Sequence, residues 1–206
     1  DETARFNLGL AMMRSGGTTE AEEVFRPLLK SQKFATEATF NIAVILSSQG
    51  KLDQAEELLR RLIRTNETMN DSALASAYAH LGQVLVDLKD NKGALDAYKE
   101  SARLTPNDVA AWLNLATVAR AAGSYGYAVT ATRKAAKLTP FNSEIHLRLG
   151  NVLLELHRAT GDEKFLNEAV EAWRDSLKLE PSQTSLQRRV DIYSRKTPAT
   201  QPATEQ

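Results

Sequence analysis

The chain has 206 residues, of which 42% are hydrophobic and 25% are charged. This apolar content is enough for an ordered body and excludes disorder of the whole chain. Lys plus Arg equals Asp plus Glu at 26 each, so no global field attracts nucleic acid or anionic lipid, although local patches remain possible, and we expect no nucleic acid partner. The absence of Cys removes disulfides, thiolate metal sites and cysteine nucleophiles together.

The sequence has no apolar run near the roughly 18 residues that a membrane-spanning helix needs. We therefore expect a soluble domain without a direct membrane span, and both a cytoplasmic and a periplasmic location remain open. The chain starts at Asp1 without Met or a signal peptide. We expect this start to be an artificial boundary or a processing boundary.

A short turn motif recurs in the second half of the sequence. Leu104–Pro106 returns as Leu138–Pro140 after 34 residues and as Leu179–Pro181 after another 41. Each Pro is expected to end one helix, and a polar residue after it to cap the next. The predicted caps are Asn107, Asn142 or Ser143, and Ser182.

Two stripes of apolar and small residues lie upstream of each turn. In one repeat they are Tyr78, Leu81, Gly82 and Leu85, then Ala94, Tyr98 and Ser101; in the next they are Trp112, Leu115, Ala116 and Ala119, then Ala128, Thr132 and Ala135. The first stripe has spacings of three, one and three, and the second has four and three, as on the faces of two helices. Each repeat is therefore predicted to be a pair of amphipathic helices with small residues where they cross.

This pattern resembles the tetratricopeptide repeat family, whose 34-residue motif has Trp, Leu, Gly, Tyr, Ala, Phe, Ala and Pro at places 4, 7, 8, 11, 20, 24, 27 and 32. The resemblance covers nearly the whole chain. It implies an all-α fold, a right-handed superhelical solenoid of about five helix-turn-helix repeats followed by a C-terminal capping helix.

The predicted domain covers residues 1–196 and contains the repeats 2–35, 36–69, 75–108, 109–142 and 143–183. The first two repeats depart from the motif, because Lys33 and Glu67 stand where the closing Pro is usual. Pro27 falls inside the second helix of the first repeat, where it should kink or loosen that helix. Five extra residues precede the third repeat, and Asp71 or Ser72 is expected to cap a helix that starts early.

The fifth repeat contains seven extra residues, about two helical turns. One added turn on each helix would keep both apolar stripes in phase, so we predict a longer hairpin with its tip at Thr160–Asp162. A capping helix over about 183–195 should cover the last apolar face with Leu186, Val190 and Tyr193. The segment 197–206 is predicted to be a flexible tail.

The titratable residues do not form a catalytic constellation. His146 and His157 are 11 residues apart on one predicted helix, roughly 16 Å, which is too far to share a metal ion. His146 also occupies the place of the motif Trp, where packing is the favoured role. Adjacent carboxylates such as Glu56 and Glu57 diverge by about 100° on a helix and stand four residues before arginines, as in solvated ion pairs. We therefore expect no enzyme activity, no metal and no cofactor.

The resemblance implies that first helices line a concave groove, with places 2, 5, 6, 9, 12 and 13 of each repeat exposed to it. The candidate partner-binding residues at these places are Asn7, Arg14, Phe40, Asn41, His80, Gln83, Asn114, Arg120, Arg148 and Asn151. Place 6 holds Asn or a basic residue in every repeat, a ladder of donors that suits an extended peptide backbone. Capping or bridging of neighbouring helices is an equally open role for these side chains.

The predicted partner is thus a protein or peptide bound in the groove. One alternative is the substrate-recruiting arm of a larger enzyme such as a glycosyltransferase. Another is a structural scaffold that self-associates through the long fifth hairpin or an exposed end, which leaves homo-oligomerisation open. Tyr127 stands where a solvated residue is usual and suggests a second contact surface, although single exposed aromatics are ordinary.

Overall fold

The structure, a computed structural model, describes residues 1–65 and 69–195, and these residues form eleven α-helices, one 3-10 helix and no strand. The α-helices are α1 (Glu2–Arg14), α2 (Thr18–Phe25), α3 (Ala35–Ser48), α4 (Leu52–Arg64), α5 (Asp71–Asp87), α6 (Asn91–Leu104), α7 (Val109–Ala121), α8 (Tyr125–Leu138), α9 (Ser143–Thr160), α10 (Glu163–Leu179) and α11 (Thr184–Ser194). The chain consists of two compact units, an N-terminal unit Asp1–Pro106 and a C-terminal unit Asn107–Gln206. The single domain over 1–196 stays a prediction.

Each unit is built from antiparallel helical hairpins. In the N-terminal unit α1 pairs with α2, α3 with α4 and α5 with α6, and the hairpins are joined by contacts of α2 with α3 and of α4 with α5. The C-terminal unit repeats this arrangement, with α7 on α8, α8 on α9, α9 on α10 and α11 on α10. The predicted all-α fold of about five helical hairpins with a terminal capping helix is therefore confirmed.

The two helices of a repeat cross closely where place 8 faces place 24. Gly82 on α5 lies under Tyr98 on α6, and a Cβ atom at Gly82 would stand 2.7 Å from the Tyr98 ring. Gly9 faces Phe25 in the same way at 2.6 Å, and Gly150 faces the fully buried Trp173. Real Cβ atoms do not approach heavy atoms this closely, so glycine is required by the crossing itself.

The seven-residue insertion in the fifth repeat lengthens both helices of its hairpin. α9 and α10 have 18 and 17 residues, against 13 and 14 for α7 and α8 of the preceding repeat. Gly161, with φ of 73°, ends α9 in the left-handed conformation, and the Asp162 carboxylate accepts a hydrogen bond from the Lys164 amide to start α10. The predicted long hairpin with its tip at Thr160–Asp162 is confirmed.

The second helix of the first repeat, expected to kink or loosen at Pro27, is α-helical only as far as Phe25. Three of the predicted caps are wrong by one residue. α2 ends at Phe25, and Arg26–Lys30 continues as a 3-10 helix with Pro27 in its first turn. The side chains that cap α5 and α7 are Asn70 and Asp108. Both residues have an extended backbone, which lets the side-chain oxygen accept a hydrogen bond from the amide two or three residues later. The N-terminal boundary residue of α11 is Gln183, which makes no side-chain cap, whereas Asn142 caps α9 as predicted.

The two ends of the repeat series differ. Leu8 at place 7 of the first repeat is 49% exposed, whereas Ile42 and Leu81 at the same place are each 4% exposed because a preceding hairpin covers them. At the other end, α11 buries Leu186 and Val190 and thereby caps the last hairpin. The closing place at Glu67 and the tail 197–206 lie outside the described residues. No helix in the described part of the chain is both long and apolar enough to cross a membrane.

Replacing Gly82 by Ala should destabilise the fold by about 1–3 kcal/mol, because the new methyl group would overlap the Tyr98 ring. Gly126→Ala is the matched control, since this helical glycine has no heavy atom within 4 Å of a Cβ position, and its substitution should stabilise by up to about 1 kcal/mol. Adding Tyr98→Leu to Gly82→Ala should recover part of the loss, as repeat two combines Ala43 with Leu59 at these places. Urea unfolding measures all four chains, and equal effects of the two Gly→Ala changes would refute the crossing argument.

Candidate functional site

Phe6 and Phe40 carry the aromatic part of the candidate surface in the N-terminal unit. The Phe6 ring stacks on Phe34 with centroids 4.8 Å apart and meets the edge of Phe25 at 5.6 Å. The Phe40 ring lies edge-on to His80 with centroids 5.8 Å apart. Both rings are half-buried, so their positions are set by neighbours while part of each face stays open.

A pocket of about 550 Å³ opens between the first helices of this unit. Phe6, Phe40 and Asn41 from places 5 and 6 line it, and the residues that the sequence patterns did not indicate include Lys33, Met69 and Ala73. Met69 and Ala73 reach the pocket because α5 starts early, so the five-residue insertion before the third repeat was the available signal. The lining of the pocket therefore combines aromatic and aliphatic side chains with amide and charged groups.

His80 connects the second and third repeats. Its Nε2 atom lies 3.0 Å from the Ser47 hydroxyl on α3, and its ring packs against Phe40. Burial lowers the pKa of His80 below its ordinary value of 6.5, and the nearby Asp87 carboxylate opposes this shift only in part. The neutral imidazole is therefore the form that the fold favours.

Several predicted donors already have partners within the chain. The Asn41 side-chain amide nitrogen donates to the Glu37 carbonyl at 2.9 Å, so its remaining polar atom, the side-chain oxygen, acts as an acceptor. The Gln83 amide donates to Asp87 at 3.2 Å and its oxygen accepts from the Tyr98 hydroxyl at 3.4 Å. These two candidate residues are thus partly engaged within the chain, and Asn41 can offer a partner its acceptor oxygen.

In the C-terminal unit, a cavity of about 330 Å³ brings together Arg120, Arg148 and Asn151, with Leu113 at its apolar side. Arg120 pairs with Glu155 at 3.3 Å, and Arg148 pairs with Glu144 at 2.9 Å. Both arginines remain about half exposed, so these ion pairs are solvated and exchangeable.

Asn151 is held by two donors from outside its own helix. Its oxygen accepts from the Trp173 ring nitrogen at 3.2 Å and from Arg189 on α11 at 2.7 Å. The Arg189 guanidinium also lies over the Trp173 ring, 5.4 Å from its centroid. This network orients the Asn151 amide nitrogen away from both donors and ties the capping helix to α9.

The remaining candidates are surface residues. Asn7 and Arg14 are exposed on α1, and Asn114 is exposed on α7, and none of them lines either cavity. His146 at the motif Trp place is only half-buried, and its Nε2 atom contacts the Pro140 carbonyl at 2.9 Å. Among the residues that the structure describes, no three His, Asp or Glu side chains come together as a metal site.

Comparisons with known proteins agree with this architecture. The family model for the tetratricopeptide repeat matches residues 6–70, 80–143 and 113–176. No curated protein sequence matches the chain. Among solved structures, one of MamA has a TM-score of 0.69 at 19% identity and covers 89% of this chain and 94% of its own.

MamA from Desulfovibrio magneticus RS-1 gives a TM-score of 0.66 at 21% identity, with coverage of 88% and 96%. YrrB, described as a protein of this repeat type with an unusual peptide-binding site, gives a TM-score of 0.66 at 15% identity and covers 96% of this chain and 93% of its own. At these identities the similarity shows a shared fold.

The depressed pKa of His80 predicts a pH effect on stability. A folded-state pKa below the unfolded value means that the stability from neutral His80 is present above pH 6.5 and is lost as the pH falls through the lowered pKa. His80→Gln should therefore lose less stability than the wild type between about pH 7.5 and about pH 5. Urea unfolding of both chains at the two pH values gives the comparison, in which the other histidines cancel; identical pH dependence would contradict the assignment.

Asn151→Leu should destabilise the C-terminal unit by about 1–3 kcal/mol, since it leaves the ring nitrogen of buried Trp173 without its acceptor. Asn114→Leu is the control on an exposed site of α7 and should change stability by no more than about 0.5 kcal/mol. Denaturant unfolding followed by Trp fluorescence measures both. If the two substitutions have the same effect, Asn151 does not hold α11 in the way described.

Proposed function

Because the chain belongs to the tetratricopeptide repeat family, we propose that it binds a segment of another polypeptide along the first helices of its repeats. Repeat folds of this kind expose long faces that act as interaction scaffolds. The observation that carries the proposal is the 550 Å³ pocket of the N-terminal unit, which lies among residues from places 5 and 6. Its volume is in the range of specific binding pockets.

The aromatic rings supply the anchor for an apolar side chain of the partner. Phe6 is fixed by Phe25 and Phe34, and Phe40 is fixed by His80. Rings that are already held lose little conformational entropy when a partner packs on them. We therefore assign the partner an aliphatic or aromatic side chain that inserts at this pocket, in the manner of central anchors in protein interfaces.

The polar groups in the pocket lining fit the backbone of an extended segment. The side-chain oxygen of Asn41 would accept from a peptide N–H, and Lys33 and Glu37 would meet charged side chains of either sign. In the C-terminal unit, the Asn151 amide nitrogen, Arg120 and Arg148 would donate to carbonyls or carboxylates. Each unit thus has its own first-helix surface with its own chemistry.

The test selects peptides from a random display library on the immobilised full chain and measures their affinity for substituted chains. Phe40→Ala should weaken the peptides that use the N-terminal pocket by about tenfold or more, because it removes a central aromatic contact. Arg148→Ala should weaken the peptides that use the C-terminal cavity. Titration calorimetry gives the dissociation constants.

Phe141→Ala is the matched control, since this ring is 87% exposed in the turn before α9 and lies outside both surfaces. It should leave every affinity unchanged. Unfolding midpoints of each variant separate a lost contact from a lost fold. Selected peptides that bind all first-helix variants as tightly as the wild type would refute the proposal.

A further inference from the structure

A second surface lies at the hairpin tips of the C-terminal unit, away from the residues of the 330 Å³ cavity. This tip notch has a volume of about 510 Å³ and is formed by Tyr125, Gly126 and Tyr127 on α8 and by Leu156, Ala159 and Thr160 on α9. The seven-residue insertion creates it. α7 ends at place 13 of its repeat, whereas α9 continues for the five further residues 156–160, and these provide one wall.

We propose that the tip notch binds an uncharged, extended, proline-containing segment of a partner polypeptide. The first argument is charge. None of the residues that line the notch carries a charge, so a segment with charged side chains would lose hydration there without gaining an opposite charge. The partner segment is therefore uncharged over the residues that enter the notch.

The second argument is Gly126, which lies inside α8 with no atom within 4 Å of a Cβ position. Glycine in a helix costs up to about 1 kcal/mol relative to Ala, and no contact within the chain requires it here. The glycines at the helix crossings lie under aromatic rings, whereas Gly126 faces open space in the notch. A backbone or a flat ring from outside can reach the helix surface at this point only because a side chain is missing.

The third argument is Tyr127, which is 54% exposed. The corresponding places of the other repeats hold Glu20, Gln54, Gly93 and Glu168, so an aromatic ring is particular to this repeat. Tyr127 and Tyr125 flank Gly126 in the chain, and both belong to the lining of the notch. Aromatic grooves of this type accept the pyrrolidine rings of polyproline II segments.

The hydrogen-bonding groups favour a partner that brings acceptors. The side chain of Ser124 makes no cap for α8, so the first-turn amides of Tyr125 and Gly126, two residues that line the notch, receive no acceptor from the cap residue. The hydroxyls of Thr130 and Thr160 donate to the carbonyls of their own helices. Proline contributes a carbonyl acceptor and no N–H that would need a partner in the notch.

The experiment uses the full chain and three blocked octapeptides as probes. The first is Ac-APPAPPAP-NH2, the second replaces each Pro by Gly, and the third replaces each Ala by Glu. Amide chemical shifts should move for the residues 123–130 and 156–160 on addition of the first peptide, and titration should show at least about tenfold weaker binding of the other two. Equal binding of the Gly peptide, or shifts confined to the first helices, would overturn the proposal.

Two substitutions test the site. Tyr127→Ser should weaken the Pro peptide about tenfold through loss of the ring contact. Gly126→Leu should weaken it at least as much by filling the floor, while its unfolding midpoint stays at or above that of the wild type because the added side chain meets open space. Retained affinity in both variants refutes the assignment.

Controls separate the notch from the first-helix surfaces and from self-association. Phe141→Ser and Phe40→Ala should leave binding of the Pro peptide unchanged, so failure of the proposed function would not affect this result. Sedimentation of the wild type and Tyr127→Ser should give the same mass. A mass that falls on substitution, without peptide binding, would identify a second copy of the chain as the occupant and would overturn the proposal.

Discussion

The close crossing of the two helices in each repeat is the constraint on which the other features depend. Where glycine occupies place 8, an aromatic ring from place 24 lies directly on the backbone, as Tyr98 does over Gly82 and Trp173 over Gly150. Repeats two and four have Ala at place 8 and the smaller Leu59 or Thr132 at place 24. The larger side chain at place 24 thus goes with the smaller residue at place 8, as close packing at the crossing requires.

The crossing also decides which side chains remain for function. One stripe of each first helix packs at the crossing and against the neighbouring hairpin. Places 5, 6 and 9 therefore face outward, and neighbouring side chains cover them only in part. Phe40 and His80 support each other in the N-terminal unit, and Asn151 is oriented by Trp173 and Arg189 in the C-terminal unit. These groups combine exposure with fixed geometry, which is the combination that a recognition surface needs.

Spacing in the sequence predicted the helices and the long fifth hairpin, because two added turns must preserve the apolar stripes on both helices. It predicted the caps less well. Whether Asn107 or Asp108 caps α7 depends on which of the two has the extended backbone of a cap residue, and the spacing of apolar residues does not determine this. The hydrogen bonds of Asn151 could not be predicted from the spacing of residues in the sequence. Its partners lie 22 and 38 residues away, and only the packing of α10 and α11 brings them to it.

The turns within the repeats show how far the crossing overrides local preference. Gly16, Gly50 and Gly123 take positive φ after the first helix, and the following amide bonds back to a carbonyl five residues earlier, as in a Schellman motif. In the third repeat Lys89 occupies this place with φ of 68° and the same hydrogen bonds, although a side chain there costs about 1 kcal/mol. The turn keeps its shape when its favoured residue is absent, so the geometry is imposed by the helices that it joins. Those helices are in turn positioned by Gly82 beneath Tyr98.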